Sequence, residues 1–289
     1  MCAVMTSGSF AAAGRELGYT ASAVSQQMSA LEKSLDIHLF EREARRVVPT
    51  EAARYLQQRA DEVFDLVGQI DIDIARLGAG QVGHLRVGTF DSAGGPIVGQ
   101  AIARFLVRRR DVGITLDEGE PYDLFPRVSD GTLDVALGFE YDLVPSRFPS
   151  NLALTEILTE ELFIIAPQKH RLVAKGSVDL RELEHETWVA HREETPSHQC
   201  LIALLQGSGV EPNIAFRSNN LGTVKGIVAA GLALALVPEM SLRDSSDGVV
   251  ALPMSQILPK RHIVAAVRDG DDLPLTEAFL QALRWAAGK

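Results

Sequence analysis

Ser22, Ser25, Gln26, Ser29 and Lys33 recur at helical spacing, opposite an apolar set of Val24, Met28, Leu31 and Leu35. Short hydroxyl and amide side chains of this kind approach a groove closely, exchange hydrogen bonds with base edges and bond phosphate oxygens. An ordinary solvated face would carry more Glu and Lys. Further on, Phe40 precedes Arg42, Arg45 and Arg46, and Val47, Val48 and Pro49 follow. That pattern reads as a short β-hairpin bearing three cations, placed where a duplex backbone would lie.

Other reactive residue types are present without a matching pattern. His185, His191, His198 and Cys200 are spaced by six, seven and two, which fits no compact zinc motif. The sequence holds no Gly-x-Ser-x-Gly, no Walker loop, no Gly-x-Gly-x-x-Gly after a strand and no His-Glu-x-x-His. Neither an enzyme nor a cofactor or metal site is therefore expected. Cys2 and Cys200 are the two cysteines, far apart, which excludes a disulfide framework and fits a reducing cytoplasm. Cys200 precedes Leu201-Ile202-Ala203-Leu204 and reads as a buried, inert thiol rather than a redox sensor.

The elements that must position the polar face follow from periodicity. Phe10, Ala13 and Leu17 recur at helical spacing, Ser9 is placed to cap them, and Gly18 interrupts before the second run. Spacing alone allows a helix-turn-helix or any helical hairpin; the polar face favours the former. Thr50 is a good N-cap for a long helix. Along it Ala53, Leu56, Ala60, Val63, Val67, Ile70, Ile74 and Leu77 alternate steps of three and four, a coiled-coil seam. Phe64, Leu66 and Ile72 broaden the seam, and Gly78, Gly80 and Gly83 close the helix. Dimerisation is expected through Leu56, Val63, Val67, Ile70, Ile74 and Leu77.

Strands are expected at 85–90, 114–117, 133–139, 162–166, 187–190, 214–217, 232–237 and 263–267, with helices at 97–109, 122–129, 197–206, 221–230 and 275–285. Continuous apolar runs such as Leu162-Phe163-Ile164-Ile165 point to an α/β domain with mainly parallel sheets. The chain of 289 residues is long enough for two or three compact units, and 46% hydrophobic with 23% charged residues is an ordinary globular composition. No apolar stretch reaches the roughly 20 residues of a membrane helix, and no charged start with an apolar core marks a secretory leader. The net charge of −10 is uneven: residues 1–60 hold seven Lys and Arg against six Asp and Glu (+1), leaving −11 for the remainder. A near-neutral head on an acidic body can approach DNA without strong repulsion.

Gly8-Ser9-Phe10, Ala13, Leu17, Ala23-Val24-Ser25, Leu31-Glu32, Leu39-Phe40, Arg42 and Pro49-Thr50-Glu51-Ala52 together resemble the signature of LysR-type transcriptional regulators. Val228-Ala229-Ala230-Gly231-Leu232 running to Pro238 resembles that family's C-terminal motif. The resemblance covers nearly the whole chain. It implies a winged helix-turn-helix over 1–49, a linker and dimerisation helix over 50–80, and a two-lobed, periplasmic-binding-protein-like effector domain over 84–289. The first lobe would be 84–161 with 267–289, the second 162–266. It further implies a dimer of dimers on double-stranded DNA, a small-molecule effector between the lobes and contact with RNA polymerase. Ser22, Ser25 and Gln26, with Ser29 beside them, would face the major groove. Thr20, Arg42, Arg45 and Arg46 would meet phosphates or the adjacent minor groove.

Three departures stand out. Family members extend further before the position of Met1, so a start assigned too late is expected. Ala21 and Gln26 replace a common Gln and Arg, so the operator is expected to be read without that arginine contact. Ala53 and Ala233 replace frequent glycines.

Ligands of open α/β folds bind beyond the carboxyl ends of strands. Those ends place Asp91, Ser92 and Ala93, then Gly138, Phe139 and Glu140, in the expected effector cleft. Thr195 and Ser197 precede a facing helix, and Asn219 and Asn220 continue the cleft. Ser92 reads either as part of an anion site or as an ordinary helix cap. Helix N-termini suit a carboxylate ligand, whereas Asp91 and Glu140 suit an amine or hydroxyl; both readings stand.

Overall fold

The computed structural model describes residues 1–43, 46–145, 148–242, 248–271 and 273–288. They form two compact units, Met1–Arg76 and Leu77–Lys289.

In the first unit, α1 (Cys2–Ser7), α2 (Phe10–Leu17) and α3 (Ala21–Leu35) precede a hairpin of β1 (Phe40–Glu43) and β2 (Arg46–Pro49), then α4 (Glu51–Gly78) begins. The breaks between helices are set by caps. The Ser9 hydroxyl accepts from the Ala12 N–H at 3.1 Å, Thr20 from Ala23 at 3.2 Å, and Gly18 closes α2 at φ 75°. Gly14 is required where α2 meets the incoming chain, since a Cβ there would lie 2.8 Å from the Tyr19 carbonyl oxygen. Val4, Ala13, Val24 and Met28 are the core, with Phe10 edge-on to Phe40 at 5.8 Å. Leu17 and Leu35, counted on the apolar faces by spacing, are instead 51% and 45% exposed. Each ends its helix, beyond the small crossing that those four residues fill. The Glu32 carboxylate fixes the hairpin to α3 by accepting from the Leu39 and Phe40 N–H groups at 2.7 and 3.0 Å.

In the second unit, β3 (Val82–Thr89) lies between β4 (Asp111–Glu118) and β5 (Val135–Tyr141), all parallel. Between β3 and β4 the chain forms α5 (Asp91–Ala93), a π-helical stretch Gly94–Gly99 and α6 (Gln100–Arg108); α7 (Pro121–Ser129) precedes β5. The long β6 (Leu152–Pro167) then follows, and β7 (Thr187–Ala190), α8 (Pro196–Gly207), β8 (Asn213–Arg217), α9 (Leu221–Ala229), β9 (Ala235–Pro238) and β10 (Val249–Ala251) come after it. Finally β11 (Lys260–Arg268) and α10 (Pro274–Ala286) return to the first layer. No helix among the described residues is long and apolar enough to cross a membrane.

This domain has two lobes. Cores around Phe90, Phe105, Phe139 and Phe279, and around Leu124 and Phe125, belong to one; cores around Trp188 and Leu205, and around Val224 and Val237, belong to the other. Two expectations need correction. The sheets are mixed: β11 pairs antiparallel with both β5 and β6, and β9 and β10 pair antiparallel with β6. An apolar run records burial on both faces and says nothing of strand direction. Further, β11 runs beside β5 from Arg261 to Ala266, so it belongs to the first lobe's sheet and not to the 162–266 lobe. The strand that crosses between lobes is β6, whose Leu152–Glu161 half pairs with β11 and whose remaining half pairs with β9.

Gly138 on β5 lies under the Phe125 ring, and an added Cβ would fall within that ring. Gly138→Ala should therefore destabilise the domain by about 1–3 kcal/mol, seen as a lower urea midpoint with an unchanged slope.

Candidate functional site

The register of β5, β11 and β6 sets Tyr141, Arg261 and Glu160 opposite one another in a row. Side chains alternate along a strand, so Phe139 shares this face. The neighbouring row of Glu140, His262 and Thr159 takes the other, where the Thr159 hydroxyl meets His262 Nδ1 at 3.1 Å. Arg261 and Glu160 are 3% and 4% exposed. Buried charges persist only when paired and hydrogen-bonded, and these are. Arg261 Nε and Nη2 donate to Glu160 Oε1 at 2.8 and 2.5 Å, and Nη2 also donates to the Ser92 hydroxyl at 3.0 Å. Glu160 Oε2 accepts the Met240 N–H at 2.8 Å. The guanidinium lies 5.3 and 5.2 Å from the ring centroids of Phe90 and Phe139.

The expected cleft residues divide into two groups. Asp91, Ser92, Phe139, Ser197 and Asn219 line one cavity with Arg261. Within it the Ser197 and Tyr141 hydroxyls are 2.9 Å apart, and Asp91 Oδ2 accepts the Leu221 N–H at the start of α9 at 3.2 Å. The others do not line this cavity. Ala93 is fully buried in the core. Gly138 and Glu140 are one residue out of phase with Phe139 and point to the opposite face. Thr195 is fully buried, its hydroxyl donating to the Arg192 carbonyl at 2.7 Å and accepting from the His198 N–H at 3.2 Å. Asn220 caps α9, accepting from the Thr223 N–H at 2.9 Å, and sits at the outer mouth. Sequence reading missed Arg261, Glu160 and Glu120, whereas Tyr141 and His191 stand at the strand ends from which it built the cleft. Period two carried back from Ile263 reaches Arg261, and carried back from Leu162 it reaches Glu160, so the signal existed.

The inner cavity has about 30 Å³ of free volume, room for a water or two. Outside it is a mouth of about 310 Å³ lined by Asp91, Glu118, Glu120 and Asp123 with Asn219 and Asn220. Burial, reinforced by Asp123, raises the Glu120 carboxyl above its ordinary range. Burial, with Arg261 nearby, lowers His191 to about 4.

In the first unit, Thr20, Ser22, Gln26 and Ser29 are exposed and Ser25 is half-buried. The Thr20 and Ser22 hydroxyls are 3.0 Å apart. Arg42 and Arg46 lie on β1 and β2, while Arg45 lies outside the described residues. On α4, Val63, Val67, Ile70, Ile74 and Leu77 are each at least 50% exposed, and Leu56 is half-buried.

Residues 78–287 match the LysR substrate binding domain, and residues 1–54 match the bacterial regulatory helix-turn-helix protein of the lysR family. This chain belongs to the LysR family. It is a helix-turn-helix transcriptional regulator with an effector-binding domain. Curated relatives include the uncharacterized HTH-type transcriptional regulator YybE of Bacillus subtilis, 25% identical over 93% of this chain and 90% of its own. The malonate utilization transcriptional regulator of Klebsiella pneumoniae is 24% identical over 94% of this chain and 89% of its own. Among solved structures, full-length CbnR complexed with its target DNA has the same fold, with a TM-score of 0.70 at 21% identity, covering 99% of this chain and 96% of that one. The regulatory domain of Synechocystis CcmR in complex with 2-PG gives 0.62 at 17% identity over 71% of this chain and 97% of that one.

In this LysR-family protein, no group of three or more His, Cys, Asp or Glu among the described residues could hold a metal ion. Cys200 is buried, as its apolar neighbours indicate, and burial pushes its thiol up to about 12, away from a reactive thiolate.

The depressed His191 has a consequence with a definite sign. An unfolded chain takes up the His191 proton near the ordinary 6.5, whereas the folded chain waits until about 4. The unfolded state thus binds more protons in that window, and stability falls as pH drops through it. In His191→Gln the difference in urea midpoint between pH 7 and pH 5 should shrink; an unchanged difference would contradict this assignment.

Proposed function

We propose that this regulator reads DNA through Ser22, Ser25, Gln26 and Ser29 and holds its backbone through Thr20, Arg42, Arg45 and Arg46. The observation that carries this reading is the exposed, acid-free polar face of α3, adjoining a hairpin that Glu32 ties to the same helix. Small side chains there suit close approach to base edges, and the arginines suit phosphates. The exposed apolar seam of α4 supports a homodimer through Leu56, Val63, Val67, Ile70, Ile74 and Leu77, and pairs of dimers complete the assembly. The regulator acts in the cytoplasm, contacts RNA polymerase and performs no catalysis. Its working parts are the 1–49 head, the 50–80 helix and the effector domain from 84 onward.

The effector is an amine-bearing small molecule bound in the cleft. Arg261 is neutralised by Glu160, so the four carboxylates of the mouth dominate the field that a ligand meets. Asp91 and Asn219, which line both the mouth and the inner cavity, supply its contacts, and Ser92, Phe139 and Ser197 come within its reach where the lobes part.

Gel-shift titration with DNA from upstream of the gene tests the first reading. Affinity should fall linearly in log–log against salt. Arg45→Ala or Arg46→Ala should weaken every sequence alike and lower that slope by about one. Ser25→Ala or Gln26→Ala should change preference between sequences by about 1–3 kcal/mol. Identical behaviour of the two classes would contradict the assigned roles. Thermal shift tests the effector: putrescine should raise the melting temperature and succinate should not, and the reverse order would exclude an amine.

A further inference from the structure

A second cavity, larger than the cleft, opens on the other side of the sheet's end and shares none of its lining residues. It has about 570 Å³ of free volume, inside the roughly 300–1,000 Å³ range of small-molecule sites. Its floor is the Phe125 ring, which is 1% exposed and is seated over Gly138. Phe148 stands beside it with ring centroids 4.8 Å apart and planes at 59°. Tyr122, 47% exposed, forms a further wall.

The chemistry of this lining is narrow. Among the described lining residues five are prolines and three are aromatic, and none is Asp, Glu, Lys or Arg. Prolines have fixed φ and little freedom to lose, so a surface built from them is preorganised for a flat apolar guest. Two polar groups, the Tyr122 hydroxyl and the Gln199 amide, can orient such a guest without charge. The cleft mouth offers the opposite field, four carboxylates and no ring.

The two cavities meet through the chain. Pro121 directly follows Glu120 of the cleft, and Pro196 directly precedes Ser197, whose hydroxyl pairs with Tyr141. Pro121 opens α7 in the first lobe and Pro196 opens α8, which follows β7 of the second. A guest touching both helix starts grips both lobes at once.

We propose that this cavity is a second ligand site, taking small uncharged aromatic molecules, and that its occupancy biases how the lobes close on the cleft. The site stands apart from the DNA-binding and amine readings, since none of their residues line it. By linkage, a cleft ligand and an aromatic guest must alter each other's affinity by the same factor.

Titrations of the full chain with indole and with p-cresol, followed by ligand NMR, test this. Saturable binding of at least one probe is expected. Tyr122→Ala, which removes an exposed wall, and Gln199→Trp, which fills the opening from an exposed helix position, should each weaken it about tenfold or more. Ile257→Ser, at an exposed position that lines neither cavity, should leave probe affinity within about twofold. Failure of both probes to saturate overturns the proposal. So does probe binding that both groove variants retain at native strength, or that Ile257→Ser weakens as much as they do.

Discussion

A guanidinium keeps its charge at any pH a folded protein meets, so a buried Arg261 obliges its surroundings to neutralise it. Glu160 answers from the adjacent strand, and because its second oxygen takes the Met240 N–H, the segment after β9 is drawn to the same point. Ser92 is held by Nη2 as well, which fixes the start of the α5 segment, and the Phe90 and Phe139 rings lie 5.3 and 5.2 Å from the guanidinium. Strand β6 thus delivers its carboxylate just before it passes from one lobe's sheet to the other's. The cleft floor is the set of groups needed to keep one cation dry. With that charge cancelled, the four acids lining the mouth are what leaves the cleft entrance negative.

The same alternation that assembles this row assigns the opposite face to packing. Gly138 leaves room for Phe125, and Phe125 becomes the floor of the proline-rich cavity. One strand, β5, therefore shapes two cavities of opposite character: Phe139 and Tyr141 face the charged cleft, and Gly138 supports the apolar groove. In the first unit a comparable economy appears in Glu32, a single carboxylate that satisfies two hairpin N–H groups and so sets β1 against α3.

Much of this was legible in the sequence because it is written in local signals. Ser9, Gly18 and Thr50 mark helix boundaries by local chemistry that acts within a few residues. The heptad seam of α4 and the polar face of α3 are likewise periodic and short-range. Long-range pairing is not. Glu160-Glu161 and Lys260-Arg261-His262 interrupt the apolar runs that identify strands, so both strands were read as beginning too late, and the buried ion pair fell outside them. Gly138, Glu140 and Thr195 were placed in the cleft by proximity to strand ends, but phase along the strand decides direction, and Thr195 spends its hydroxyl inside its own turn. Parallel against antiparallel pairing depends on topology, which no apolar run encodes.

The dependence of the cleft on one buried pair is open to a double-mutant cycle on unfolding free energy. Glu160→Gln and Arg261→Met should each cost about 3–5 kcal/mol, because each strands its partner. The double variant should cost much less than their sum, giving a coupling above ~2 kcal/mol. Single costs that add to within ~0.5 kcal/mol would contradict the claim that this pair holds the junction.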